Sequence, residues 1–308
     1  NSDERQWTWM DEGINSFIQL VTELERYPEE NFTRGKPAAL VDYMKGDRSL
    51  HRPLMTNSEQ IIKFGPEQYQ KAATALYILR ETVMGRELFD SAFKEYSQRW
   101  AFKHPMPADF FRTMEDASAV DLDWFWRGWF YTTDVSDQTL EEVKWFKLRS
   151  NETDPENKNV KSKKGNLSSA QSAQTNANNF DAGPQPLTLL PTEARAYGEF
   201  LSKVDDKAIS NKLQNKNIYE LTISNKGGLV MPVIIEWTFK DGSKEIEKIP
   251  AEIWRFNEQR VTKVFVKEKE VASIMLDPNA ELSDINIEDN IFPKVQKDSK
   301  FDSFKKKN

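Results

Sequence analysis

The chain has 308 residues, of which 38% are hydrophobic and 30% are charged, and its net charge is −6. This length allows two domains of ordinary size, whereas the negative charge argues against a nucleic-acid-binding protein that neutralises phosphates. The sequence contains no cysteine, which excludes disulfides and thiolate chemistry and fits an exported bacterial protein. It also lacks an apolar run of about 18 residues, so no membrane span is predicted.

The first predicted element is an amphipathic helix that runs from about Asp11 to Arg26 and ends before Pro28. Its apolar residues recur at helical spacing: Ile14, Phe17, Ile18, Val21 and Leu24. Glu12 lies at the start of this helix, where an acid favours the positive end of the helix dipole. The residue pattern alone leaves two interpretations of Glu12 open, a first-turn acid or a metal ligand.

Residues 28–65 are rich in Pro, Gly and charge and predict a loop-rich wall over a cleft, with a short helix at 38–44. A strong helix follows from Gln68 to Glu81. Tyr69 lies at its start, where packing or capping would account for a tyrosine. These patterns by themselves assign no chemistry to this part of the chain.

Two segments carry a resemblance to a known family. Residues 7–13 (Trp-Thr-Trp-Met-Asp-Glu-Gly), followed by an apolar helix, resemble the third-ligand segment of the thermolysin-like zinc aminopeptidases, the gluzincin family that includes aminopeptidase N. Residues 69–72 (Tyr-Gln-Lys-Ala) are similar to the segment with the family's catalytic tyrosine, with Ala72 in place of the usual Gly. Residues 108–125 are similar to the end of the family's catalytic domain, so the resemblance covers roughly residues 5–135.

The resemblance implies roles for four residues. Glu12 would be the third ligand of a zinc ion, beside two imidazoles from a His-Glu-x-x-His helix, and Tyr69 would donate its O–H to the oxyanion of the tetrahedral intermediate. Ser16 and Gln19 follow Glu12 by one and two helical turns, where side chains would hydrogen-bond the ligating imidazoles. Family members often carry an acid where this chain has Gln19, and an ordinary exposed helix residue is the alternative there.

His51 and His104 are the only histidines. Each lies in a loop beside proline, and neither has a Glu at helical spacing to act as a base. Each is therefore predicted to be solvated or locally hydrogen-bonded and not metal-bound. The ligand helix is expected before Asn1, so we interpret the chain as the C-terminal fragment of a longer protein that is inactive by itself.

Further helices are predicted at 86–100, 107–115 and 121–131. The last of these is dense in aromatic residues, which is compatible with a platform that stacks on sugars or cations. Packing between helices is the favoured interpretation, because the rings recur on both faces of the helix.

The remainder of the chain predicts short strands at 219–223, 230–239, 243–249, 261–266 and 271–276, with a hairpin turn at Asp241-Gly242. Strands at this spacing are typical of a small immunoglobulin-like β-sandwich. Pro232 suggests an edge strand or a bulge. The acids Asp277, Asp284 and Asp289 lack the spacing of a calcium loop and are interpreted as turn formers.

The predicted fold is therefore α+β and multidomain. The helical half of a thermolysin-like catalytic domain is predicted at 1–148, a flexible linker at 149–190, a connecting helix at 191–214, the β-sandwich at 215–291 and a flexible tail at 292–308. The resemblance implies a zinc aminopeptidase that hydrolyses N-terminal peptide bonds of peptide substrates, in the periplasm or cell envelope of a bacterium. The alternative is a non-catalytic binding scaffold in which Glu12 only caps a helix.

Overall fold

A computed structural model describes residues 2–30, 32, 35–147 and 216–294. In this part of the chain a helical region precedes two antiparallel sheets. The predicted linker (149–190) and connecting helix (191–214) lie outside the described residues, as does the predicted tail beyond Lys294. Each described helix is too short or too polar to cross a bilayer.

The described helical region contains α1 (Thr8–Arg26), α2 (Pro37–Met44), α3 (Ala72–Ile78), α4 (Arg86–Trp100), α5 (Pro107–Ser118) and α6 (Asp123–Tyr131). Two π-helical segments, Gly65–Lys71 and Leu79–Val83, flank α3. The helix predicted at 68–81 is thus present, but its ends are wound more loosely than an α-helix. Helix α2 begins with Pro37, which has the backbone angle that a first helical position needs.

An aromatic core holds the helices together. Trp9 of α1 is fully buried, stacks on Phe111 of α5 at 5.7 Å between ring centroids, and meets the edge of Phe130 of α6 at 4.6 Å. The rings of α6 that point inward are all buried: Phe125, Trp126, Trp129 and Phe130. The prediction that the aromatic residues of this helix form a packing core is confirmed for these four rings, whereas Tyr131 at the end of the helix is exposed.

The two sheets have the strand orders β1-β2-β5 and β4-β3-β6-β7. Their strands are β1 (Gln138–Lys147), β2 (Asn217–Asn225), β3 (Val233–Phe239), β4 (Lys244–Ile249), β5 (Arg260–Lys267), β6 (Val271–Leu276) and β7 (Ile291–Phe292). Residues 138–147, which the sequence placed in the helical region, therefore form a strand that pairs with β2. Phe292, which was placed in the tail, is buried in β7 beside Ile274.

Buried side chains from both sheets belong to one hydrophobic cluster. Trp237 of β3 is central to it, with its ring 5.1 Å from that of Phe265 on β5 and 5.9 Å from that of Tyr219 on β2. Since β3 belongs to one sheet and the other two strands to the second, the sheets face each other across this cluster.

Pro232 marks neither of the two predicted features. Strand β3 lies between β4 and β6 and is not an edge strand, and the register shift of β3 lies at Thr238 and Phe239. The proline precedes the strand, which begins at Val233.

Of the three acids predicted to form turns, Asp277 and Asp284 do so, whereas Asp289 accepts hydrogen bonds from the distant Thr139 and Lys226 side chains, both at 2.9 Å. Asp277 accepts hydrogen bonds from the backbone N–H groups of Glu281 (2.7 Å) and Leu282 (3.0 Å). Asp284 accepts one from the backbone N–H of Asn286 at 2.8 Å. These local bonds are the ones that aspartates make when they stabilise a turn.

Candidate active site

Glu12 and Tyr69 lie on neighbouring elements, because α1 crosses the π-helical segment at Gly13. A Cβ atom on Gly13 would lie 2.4 Å from the Cβ of Ala72 and 2.9 Å from the carbonyl oxygen of Gln68. Gly13 directly follows Glu12, and Gln68 directly precedes Tyr69. The absence of a side chain at Gly13 thus brings the backbones that carry Glu12 and Tyr69 together. Both side chains are half-buried.

The start of α1 bears on the interpretation of Glu12. The helix begins at Thr8, three residues earlier than predicted, and its N-cap is Trp7. The acid in its first turn is Asp11, so Glu12 lies beyond the turn in which the helix dipole acts most strongly. The structure therefore weakens the interpretation of Glu12 as a first-turn acid that only caps the helix.

The two residues predicted to support Glu12 lie further along α1. Ser16 is half-buried, one turn after Glu12. Gln19 is exposed and donates its side-chain N–H to the carboxylate of Glu23 at 2.7 Å, a pairing that exposed residues four apart on a helix commonly make. The predicted hydrogen bonds from Ser16 and Gln19 to ligating imidazoles stay predictions.

The described residues do not complete a zinc site at Glu12. Within residues 2–30, 32, 35–147 and 216–294, the one group of three potential ligands that is close enough to hold a metal ion consists of Glu115, Asp121 and Asp123. This group does not include Glu12, and the Glu115 carboxylate already accepts the backbone N–H of Leu122 at 2.9 Å. Of a His₂Glu zinc set, these residues supply at most the carboxylate of Glu12.

The two histidines have different environments. His104 is exposed. His51 is buried, and its ring stacks on that of Tyr43 with 4.3 Å between centroids. Burial lowers the pKa of His51, with a smaller opposing effect from a hydrogen bond to the Tyr43 backbone. His51 is thus locally hydrogen-bonded, one of the two predicted states, and not solvated.

The sequence did not predict the buried polar side chains of the Tyr69 segment. Glu67, Gln68 and Lys71 are all buried, while Tyr69 between them is half-buried. Charged residues are almost never fully buried unless they are paired. The sequence does contain a signal for this buried pair: an acid lies two residues before Tyr69 and a lysine lies two residues after it.

Glu67 joins three parts of the helical region. Its Oε1 atom accepts hydrogen bonds from the Tyr43 hydroxyl of α2 and from the backbone N–H of Arg52, both at 2.8 Å. Burial raises the pKa of Glu67, and the two hydrogen bonds oppose that rise. Burial raises the pKa of Tyr43 as well, and its hydrogen bond to Glu67 adds to that effect.

Lys71 is 2% exposed and donates its Nζ–H to the carbonyl oxygen of Thr132, just after α6, at 3.2 Å. Burial lowers its pKa from 10.5 to about 8, although the negative charges of Glu67 and Asp134 act in the opposite direction. The loss of hydration thus outweighs the attraction of the two carboxylates, as expected for an ammonium group inside a protein.

The depressed pKa of Lys71 predicts a pH dependence of stability. Between about pH 8 and pH 10.5 the unfolded chain holds a proton at Lys71 that the folded chain has released. The free energy of unfolding should therefore rise with pH in this window, by up to about 1.4 kcal/mol per pH unit from this one group. Urea unfolding at several pH values should show that Lys71→Met removes this part of the slope.

Lys94→Met, at an exposed position of α4, is the matched control and should leave the slope unchanged. Equal slopes for the wild type and Lys71→Met would contradict the assignment of this pH dependence to Lys71.

Comparison with known proteins finds a family that resembles the helical region. Residues 4–129 match the Peptidase family M1 domain, and this stretch contains Glu12, Tyr69 and almost all of the helical region. The helical region is therefore similar to the domain of peptidase family M1. The family prediction made from residues 7–13 and 69–72 is confirmed.

A solved structure of Legionella pneumophila aminopeptidase A in complex with aspartic acid has a similar fold, with a TM-score of 0.50 at 11% sequence identity. The match covers 98% of this chain and 25% of that chain, so the present chain spans about a quarter of its length. No curated protein matches this chain.

Proposed function

We propose that this chain is the part of a zinc-dependent aminopeptidase that carries one metal ligand, Glu12, and the oxyanion-stabilising tyrosine, Tyr69. The contact at Gly13 carries this proposal, because it brings the two segments side by side within the stretch that matches the peptidase family. The family match supports a peptidase; the metal, the preference for N-terminal peptide bonds and the two residue roles are the proposed part.

In this proposal Tyr69 donates its phenol O–H to the carbonyl oxygen of the scissile peptide bond. A donor that is fixed beforehand stabilises the negative charge that develops on this oxygen in the transition state. Tyr69 lies in a π-helical segment, a structure that occurs frequently at functional sites. Its half-buried position beside fully buried neighbours fits a group that is held by the protein and still reaches a substrate.

Glu12 contributes a carboxylate oxygen, a common zinc ligand in peptidases. When bound, zinc supplies Lewis-acid polarisation and a water of lowered pKa. Both histidines of the chain lie among the described residues, and neither is grouped with Glu12. The two imidazole ligands would therefore come from the rest of the intact protein, and the chain by itself would not hydrolyse peptides.

The test is the metal content and the activity of the intact protein that contains this chain. The wild type should bind one zinc ion per molecule and release amino acids from peptides, whereas Glu12→Gln should bind zinc at least about 100-fold more weakly, because a neutral amide replaces an anionic ligand. Asp11→Asn is the matched control, since Asp11 is the exposed neighbouring carboxylate on the same helix.

Zinc content measured by mass spectrometry should therefore fall in Glu12→Gln and stay constant in Asp11→Asn. If the intact wild type binds no zinc, or if Glu12→Gln binds it as tightly as the wild type, the enzyme proposal fails. The binding-scaffold interpretation would then replace it.

We also propose that the two sheets form a β-sandwich of immunoglobulin-like type. Their seven antiparallel strands and their shared core support this proposal. The position of β4 differs from the constant-domain arrangement, because β4 pairs with β3 and not with β5. Such a unit would support the helical region. The two are in contact where the indole N–H of Trp129 donates to the Sδ atom of Met231 at 3.4 Å.

A further inference from the structure

Tyr69 lies between two buried charged residues of the same helical segment. Side chains four residues apart lie on the same face of a helix, so Glu67 and Lys71 point to one side and Tyr69, midway between them, points away from it. Their exposure agrees with this geometry, since Glu67 is 0% and Lys71 2% exposed while Tyr69 is half-buried. Glu67 and Lys71 thus lie on the buried side of the helical segment, and Tyr69 lies on the opposite side.

The acid on this buried side ties the segment to α2 and to the loop after it. Glu67 accepts the Tyr43 hydroxyl and the backbone N–H of Arg52, each at 2.8 Å. Tyr43 is held in turn by the ring of His51, which stacks on it at 4.3 Å. A rigid pair of rings therefore fixes where the Glu67 carboxylate lies.

The lysine on the same face ties the segment to the end of α6. Its Nζ donates to the Thr132 carbonyl oxygen at 3.2 Å, 61 residues away in the chain. Glu67 and Lys71, two residues before and two residues after Tyr69, are therefore hydrogen-bonded to two different parts of the fold. Together the two attachments hold the π-helical segment against α2 and against the residue that follows α6.

These contacts cost more than apolar packing would. Burying ionic groups is expensive, and well-packed hydrophobic residues of similar volume are often as stable or more so. The Oε2 atom of Glu67 is buried and forms no hydrogen bond with the described residues, which leaves part of that cost uncompensated. A polar attachment with fixed hydrogen-bond geometry is better explained by placement of the segment than by stability.

We propose that Glu67 and Tyr43 are positioning residues for Tyr69, holding its hydroxyl where the carbonyl oxygen of the substrate develops charge. The inference rests on the proposed function of Tyr69. Neither residue would touch the substrate, because Glu67 is fully buried and its hydrogen bond with Tyr43 lies on the face opposite Tyr69. Their contribution is orientation, and displacements of about 1 Å in an active site change rates by about 10²-fold.

The test is a double-mutant cycle in the intact protein. Tyr43→Phe removes the hydroxyl that Glu67 accepts and keeps the ring that stacks on His51, so the protein should fold. We expect kcat for peptide hydrolysis to fall about 10-fold or more with little change in KM. In the Tyr69→Phe background the same change should have no further effect on kcat, because the group that it positions is gone.

Tyr27→Phe is the matched control, since Tyr27 is exposed and its ring faces Phe32 and not the residues of this network, and it should leave kcat unchanged. Glu67→Gln provides a second double-mutant cycle. It should lower kcat in the wild-type background and have no further effect in the Tyr69→Phe background, and it replaces Tyr43→Phe as the test if that variant does not fold.

Two results would overturn the inference: an unchanged kcat in Tyr43→Phe, or an equal fall in kcat in the wild-type and Tyr69→Phe backgrounds. These results are distinct from failure of the proposed function, which would appear as a normal kcat in Tyr69→Phe itself.

Discussion

Replacing Tyr69 by Phe in the intact protein should lower kcat about 10²- to 10³-fold, the usual effect of removing one oxyanion donor. The ring is retained, so its packing near Phe64, 6.2 Å between centroids, should persist. KM should change little, because the hydroxyl is proposed to act on the charge of the transition state and not on the bound peptide. Steady-state kinetics with aminoacyl substrates gives both constants.

Zinc content and the thermal unfolding temperature should stay at their wild-type values in Tyr69→Phe, which separates a lost donor from a lost metal or a lost fold. Tyr27→Phe, at an exposed position, should be indistinguishable from the wild type in all three measurements. If kcat in Tyr69→Phe is normal, the oxyanion role is wrong, even if Glu12 proves to bind zinc.

Gly13→Ala should destabilise the protein by about 1–3 kcal/mol, the usual cost of overpacking. The new Cβ would lie 2.4 Å from the Cβ of Ala72 and 2.9 Å from the Gln68 carbonyl oxygen, so α1 and the π-helical segment would have to move apart. This cost outweighs the helix propensity of alanine, which favours the substitution by at most about 1 kcal/mol. Urea unfolding measures the change.

Gly65→Ala is the matched control, because an added Cβ at Gly65 meets no atom within 4 Å. The double variant Gly13→Ala with Ala72→Gly removes the Cβ–Cβ overlap and should recover part of the loss; the approach to the Gln68 carbonyl oxygen remains. Wild-type stability in Gly13→Ala would show that α1 and the Tyr69 segment are not packed this closely. The same displacement should lower kcat, because it separates Glu12 from Tyr69.

Local patterns in the sequence predicted most helices and five of the strands. The helix predicted from Asp11 to Arg26 is α1. It begins earlier, at Thr8, because Trp9 and Met10 are buried in the core and belong to its first turn. The aromatic residues of α6 were placed in the core correctly, since rings on both faces of a helix need neighbours on both sides. Apolar periodicity is sufficient to predict a helix or a strand wherever one regularly repeating face of the element is buried.

Strand β1 was missed for an identifiable reason. Its pairing with β2 shifts register between Leu140 and Glu142, and this irregularity breaks the alternation of apolar and polar residues that signals a strand. Leu140 and Val143 are both buried although they are three residues apart. Its partner β2 also begins at Asn217, so the pairing is far from local in the sequence.

The sequence by itself determined the family and the two candidate site residues, because Glu12 and Tyr69 lie in short contiguous motifs that need no knowledge of the fold. Only the tertiary structure decided that the two segments meet at Gly13 and that Glu67 and Lys71 are buried behind Tyr69. The partners of these charges, Tyr43 and Thr132, are 24 and 61 residues away in the chain. Burial of a charge is decided by such distant partners, and a local pattern does not contain them.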